Sequence, residues 1–214
     1  IVVIVVFVIL GATTHGYALF DGYRFSGGSD DPAVLMREAG IATTAAAFAV
    51  MISTLLALPV STSQAAVGAL VGVAVAGSGL GALDAGLLFK MLACWIVTPP
   101  AAALIAYAFH RAGHRPLRRL VPSQQRRNRT LQLFLVIFGC YEAYALGANN
   151  VVVTTGPFYQ AGLFDLAGTA FARFDPRVVA ALVGGLAIAS GAVTYGHKVM
   201  ETMARKIVVL DPYA

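Results

Sequence analysis

Apolar residues run along this chain in long tracts separated by short polar ones. They lack the strict alternation of a strand with one wet face. "IVVIVVFVIL" and "IATTAAAFAV" are typical tracts. The pattern predicts one helix over residues 1–20 and an alanine-rich helix over 39–57. A third runs from Gln64 to Gly77, after "LPVSTSQ", where Pro59 breaks the chain. Residues 84–109 form the next helix, bent at Pro99-Pro100, and segments 130–165 and 176–207 complete the set. A bilayer core of about 30 Å takes about 20 helical residues, and several tracts reach that length. The fold class is therefore an all-α polytopic membrane protein. The strands of a membrane barrel would alternate polar and apolar residues.

Composition agrees, with 58% apolar and only 12% charged residues, where soluble domains carry roughly 25% charge. The net charge of +5 has one main source, since seven arginines and no acid lie between Arg111 and Arg129. Such a run could bind nucleic acid, but between membrane spans it marks the cytoplasmic face, and no nucleic-acid partner is expected. With loop 110–129 in the cytoplasm of a multi-pass cell-membrane protein, residues 84–109 run inward and 130–165 outward. The last helix returns, leaving Lys198, Arg205 and Lys206 inside. Hairpin 39–77 then enters and leaves on one face, and the polar loop 21–38 lies outside. The chain divides into 1–109 (a span, the hairpin 39–77, a span), the basic loop 110–129, and 130–214 (a broken helix and a long span). Cys94 and Cys140 sit in apolar tracts with no CxxC and no His cluster, so neither a disulfide nor a metal site is expected. The first tract lacks the basic region and cleavage site of a signal peptide, and a chain that opens inside a span reads as a fragment.

"GATTHGYALF" at 11–20 resembles "GAVTYGHKVM" at 191–200, with Gly11/Gly191, Ala12/Ala192, Thr14/Thr194 and Gly16/Gly196 identical. The charge-derived topology makes these two spans cross in opposite directions, the mark of an inverted-repeat secondary transporter with discontinuous helices at mid-membrane. Two stretches carry the chemistry. In "PVSTSQAAVGALVG", Ser61, Thr62 and Ser63 precede a helix whose first NH groups lack internal partners and whose dipole is positive there. Hydroxyls beside such NH groups suit a tetrahedral oxyanion; ordinary N-capping is the plain alternative. In "ALGANNVVVTTGP", Gly147 and Gly156-Pro157 permit unwinding, and Asn149, Asn150, Thr154 and Thr155 offer oxygens and NH groups to an ion and its substrate. A polar contact that only stabilises packing is the alternative there.

These residues resemble the signatures of the inorganic phosphate transporter (PiT) family, which includes sulfate permeases. "GANNVVVTTGP" is similar to its "GANDVANA(I/V)GP", "LPVSTSQAAVGALVG" to "LPVSTTHAxVGAxxG", and "TYGHKVMETMARKI" to "T(Y/W)GxKVxETIGxKI". They occur in family order along most of the chain. The resemblance implies an inverted-repeat transporter in which each half has one broken helix and one re-entrant-type hairpin, of which this chain holds one each. It places the anion against Ser61, Thr62, Ser63, Gln64, Thr154 and Thr155, and a coupling cation, Na⁺ or H⁺, against Asn149 and Asn150, with no other cofactor. Inorganic phosphate is the first substrate it implies and sulfate the alternative.

Three departures from the family pattern bear on this. The family Asp is Asn150, the hairpin His is Gln64, and "ANA" is Val152-Val153-Thr154. Protonated phosphate can donate to a carboxylate and sulfate cannot, so loss of the Asp removes one reason to prefer phosphate. Glu142 lies seven residues before Asn149, on nearly the same helix face, and an ionisable group within a span is a candidate proton carrier. A snorkelling or paired structural Glu is the alternative. A membrane enzyme would need a nucleophile, an acid–base pair or a metal set, and no clustered His, DxD or paired carboxylates occur, so no catalytic residue is expected. A non-transporting relative is a further reading of the lost Asp, and a homodimer is compatible with the sequence.

Overall fold

The computed structural model describes residues 2–21, 31–56, 58, 60–120, 123–165, 173–194 and 196. The described residues form six α-helices: α1 (Val2–Thr14), α2 (Pro32–Leu55), α3 (Thr62–Ser78), α4 (Ala85–Leu120), α5 (Gln124–Gln160) and α6 (Pro176–Thr194). Among the described residues, four stretches are long and apolar enough to cross a membrane: Pro32–Leu55, Ala85–Ala112, Gln124–Gln160 and Pro176–Thr194. The described residues separate into two compact units, 2–83 with 140–196, and 84–139.

The second unit contains α4 and the start of α5. Asp84 opens α4 by accepting from Leu87 N at 2.9 Å. The helix continues through Pro99-Pro100 and on to Leu120, well past the expected end at 109. Because α5 begins at Gln124, most of the expected loop 110–129 is helical. Arg111 to Arg119 extend α4, where positive charge suits the helix C-terminus. Phe89, Ile96, Leu104 and Phe109 are exposed along α4, as apolar side chains of a membrane helix are.

In the first unit α1, α5 and α6 pack through small residues. Arg177 reaches Asp21, Gly185 meets Ala12 and Ile9, and Ala189 clusters with Val8, so α6 runs antiparallel to α1. Thr155 meets Ala180 and Gly184 meets Val151, so α6 is also antiparallel to α5. Gly11 lies against the carbonyl of Tyr144, and Gly147 against that of Val8. These contacts bring the α1 and α5 backbones together, as small residues do in membrane helix pairs. Val8, Ala12, Val151, Ala180 and Ala181 form the buried centre.

α5 departs from the sequence expectation. Residues 147–157 stay α-helical, so the expected break within "GANNVVVTTGP" is absent. The polar side chains are satisfied by the helix itself: Asn150 Nδ2 donates to Leu146 O at 3.2 Å, and Thr154 and Thr155 Oγ1 each donate to Val151 O at 2.9 Å. Gly147 serves as a packing position rather than a breaker. Pro157 lies in the last turn, and its missing NH removes one bond of the helix ladder without ending the helix there. The helix ends just beyond it, with Gly162 at φ +80°, Gly162 N bonded to Tyr159 O and Leu163 N to Phe158 O. This is the two-bond glycine terminus of a Schellman motif.

α2 and α3 pack as an antiparallel helical hairpin, with Glu38 of α2 beside Gly77 at the end of α3. α2 starts seven residues before the expected 39. Asp31 caps it, accepting from Ala33 N at 2.9 Å, and Pro32 takes the first helical position. α3 closes at Gly79, φ +77°, whose NH bonds Val75 O at 2.9 Å. The expected break at Pro59, and Lys198, Arg205 and Lys206, lie outside the described residues. The same holds for most of the repeat segment 191–200 beyond Thr194.

Candidate functional site

The two chemistry-bearing stretches meet. Ser63, half-buried in the first turn of α3, donates from Oγ to Asn150 Oδ1 at 2.7 Å. This bond ties the hairpin tip to the middle of α5, across a sequence separation of 87 residues.

The tip is a capped helix start. Ser61 has an extended backbone and its Oγ accepts from Gln64 N at 3.3 Å, while its carbonyl accepts from Ala65 N at 3.0 Å. Gln64 and Ala65 amides are thereby occupied. The amides of Thr62 and Ser63 come before the intrahelical ladder begins, at the positive end of the helix dipole. Both the capping reading and the anion reading start from this geometry, and one hydroxyl, that of Ser61, is committed to the cap.

Beside this contact lies a cavity of about 620 Å³ within the first unit. Thr62, Asn150 and Thr154 contribute polar groups to its wall. Much of the remainder is small and apolar, as with Ala42, Ala46 and Ala187. A wall of that kind leaves a charged guest to be held by the few polar groups.

The remaining candidates are distributed differently. Thr154 joins the cavity while its Oγ1 donates to backbone carbonyls of its own helix. Thr155 is buried away from it, bonded to Val151 O and, at 3.2 Å, to Ala180 O, which makes it an α5–α6 packing contact. Gln64, Asn149 and Glu142 are exposed and are not part of the cavity wall. Glu142 and Asn149 do share a face, but Asn150 is the residue that meets the hairpin. Thr43 also lines the cavity. It was hidden in "IATTAAAFAV", where only its helical phase relative to the hairpin partner singles it out.

Two further groups flank the site. Tyr144 OH pairs with Thr14 Oγ1 at 2.7 Å and with His15 Nδ1, joining α5 to the end of α1. Beyond that same end of α1, Arg177 bridges Asp21 and Asp175, both at 2.6 Å. The Arg177 hydrogen bonds hold the Asp175 carboxyl below its ordinary range. Among the described residues, no three His, Cys, Asp or Glu side chains group as metal ligands do.

Comparison with known proteins adds an independent line. The model of a phosphate transporter family matches residues 1–118 and 114–214. The chain is 32% identical over 166 residues to the sulfate permease CysP of Bacillus subtilis, covering 76% of this chain and 42% of that protein. It is 28% identical over 248 aligned residues to a protein of Pyrococcus furiosus named Putative phosphate permease, covering 84% of this chain and 60% of that one. A Pyrococcus abyssi protein of the same designation is 27% identical with the same shares covered. The chain thus spans about half the length of these relatives. No solved structure matches it.

Proposed function

We propose, starting from the fact that this chain belongs to the phosphate transporter family, that it forms the oxyanion-binding middle of a multi-pass secondary transporter for inorganic phosphate or sulfate. The observation that carries this reading is the Ser63–Asn150 bond beside the cavity. It joins the two stretches that bear the chemistry, although they are far apart in sequence. The anion sits at the start of α3, held by backbone NH groups, Thr62 and Ser63, with Asn150 and Thr154 facing it. A site built from dipoles and hydroxyls binds an anion without the fixed counter-charge that would slow release. No covalent step takes part.

Transport proceeds by alternating access, with the basic segment around Arg111 to Arg129 in the cytoplasm. α1 and α6 act as inverted counterparts and α2–α3 as a re-entrant hairpin. A cation, H⁺ or Na⁺, drives accumulation. Sulfate has a specific argument in its favour. Asn150 supplies an amide where the family has an acid, so the site lacks the carboxylate that a protonated phosphate would donate to, and the Bacillus subtilis relative is named a sulfate permease. The test is uptake of labelled phosphate and labelled sulfate by the intact protein in liposomes, each competed with the other. Saturable uptake of either supports the reading. Uptake of neither, by protein that is folded and inserted, would leave a non-transporting relative or an enzyme.

A further inference from the structure

The arginine run lies in the second unit, and the anion site makes no use of it. α4 carries on from Ala112, where its apolar stretch ends, to Leu120, about 12 Å of further helix. A headgroup layer is about 5–7 Å thick on each side of the hydrocarbon. α5 resumes at Gln124, so the two helix ends are at most about 14 Å apart, the reach of the extended chain between them. Residues 85–141 hold seven arginines and Lys90 but no Asp or Glu. Among the described residues of this unit the one acid is Asp84, about 40 Å along α4 from Arg111. It is occupied there, accepting from Leu87 N. The positive charge at the helix ends therefore has no counter-charge within the unit.

Apolar surface continues directly from this charge. Arg126 and Arg129 are exposed, and spacings of three and four residues place them on one face of α5 with Leu133 and Val136, which are also exposed. α4 repeats the order in reverse, with exposed Leu104 and Tyr107 one and two turns before exposed Arg111. Each face is charged at the edge of the membrane and apolar beneath it. A nucleic acid or an acidic peptide would meet the charge and leave the apolar stripe uncovered. An anionic phospholipid covers both, because its phosphate is joined to acyl chains.

We propose that the arginine-bearing ends of α4 and α5 form a binding surface for anionic phospholipid. Headgroup phosphates lie against Arg111, Arg126 and Arg129, and acyl chains run along the apolar residues below. A guanidinium pairs two phosphate oxygens at once, and arginine clusters beside a membrane helix attract anionic lipid. In the topology proposed above this is the cytoplasmic leaflet. The surface depends on the chain spanning a membrane and not on the anion it carries, so a failure of uptake would leave it standing.

The test uses intact protein in detergent, equilibrated with equal amounts of phosphatidylglycerol and phosphatidylcholine, with the retained lipid counted by mass spectrometry. The wild type should retain phosphatidylglycerol in preference. That preference should weaken between about 0.1 M and 1 M salt, as the screening length falls from about 10 Å to about 3 Å. Arg126→Gln with Arg129→Gln should lower it about twenty-five-fold, at about fivefold for each arginine near a membrane surface. Arg126→Lys with Arg129→Lys keeps the charge and should keep most of the preference. Equal retention of the two lipids by the wild type would overturn the proposal. So would an undiminished preference in the Gln variant, which puts the lipid elsewhere, or bound nucleic acid with no lipid preference, which gives the surface to another partner. Should the Gln variant fail to fold, the salt series on the wild type decides, since a preference indifferent to salt contradicts a site built on charge.

Discussion

Gly147→Ala separates the two roles a glycine can have in "GANN". As a helix breaker, Gly147 would be improved as a helix former by Ala, by roughly 1 kcal/mol. As a packing position it would be harmed. The structure gives the size of the harm. A Cβ at Gly147 meets the carbonyl oxygen, carbonyl carbon and Cα of Val8, the farthest of the three at 2.9 Å. All are backbone atoms, so no rotamer change relieves the clash; α1 must move away from α5. Overpacking of this kind costs about 1–3 kcal/mol, which outweighs the propensity gain at most of that range. Gly139 is the control on the same helix, because a Cβ there meets nothing within 4 Å. Thermal unfolding of the intact protein in detergent should show a lower midpoint for Gly147→Ala and an equal or higher one for Gly139→Ala. Equal stabilisation by both would refute the close α1–α5 crossing and restore the broken-helix expectation.

Three further outcomes follow from the same geometry. Asn150→Asp restores a carboxylate acceptor beside Ser63 and should shift preference from sulfate toward phosphate, measured as the ratio of the two uptake rates; an unchanged ratio would remove Asn150 from selectivity. Asp175→Asn should lower the unfolding midpoint slightly. Because the folded carboxyl titrates below its ordinary range, the contribution is complete above the unfolded carboxylate value and disappears as the pH falls through the folded one, so the difference between wild type and variant should close only in acid. The 214 residues expressed alone should take up neither anion, since they span about half of the permease relatives; robust uptake would contradict the inverted-repeat architecture proposed above.

Much of this molecule is readable from residues, and the misreadings have physical causes. Apolar tract length locates the helices because hydrocarbon demands internally satisfied backbone. It fails at boundaries where capping chemistry overrides polarity. "SDDP" looked like loop, yet Asp31 and Pro32 are a cap and first-turn pair. That shift moves Glu38 from the expected loop onto a buried helix face. The basic run looked like a loop for the same reason, whereas arginines extend α4 comfortably at its C-terminal end. In "GANNVVVTTGP" the polar residues looked like a reason to unwind. Thr and Asn side chains can return their hydrogen bonds to carbonyls of the preceding turn of their own helix, and a glycine can serve a neighbour's backbone as well as its own flexibility. The family resemblance put Ser63 with the anion and Asn150 with the coupling cation; the bond between them is a tertiary contact that no local pattern encodes.

The central claim is that the hairpin tip binds the anion, and equilibrium binding of labelled phosphate and sulfate to purified intact protein tests it most directly. Thr62→Val removes a hydroxyl that donates to a charged ligand, a loss of about 1.5–3 kcal/mol, and Ser63→Ala removes the bond that holds Asn150 at the hairpin tip. Affinity for the transported anion should therefore fall roughly tenfold to a hundredfold, with the amount of folded protein unchanged. Wild-type affinity in both variants would show that Ser61, Thr62 and Ser63 only cap α3, and the oxyanion site would have to be sought elsewhere.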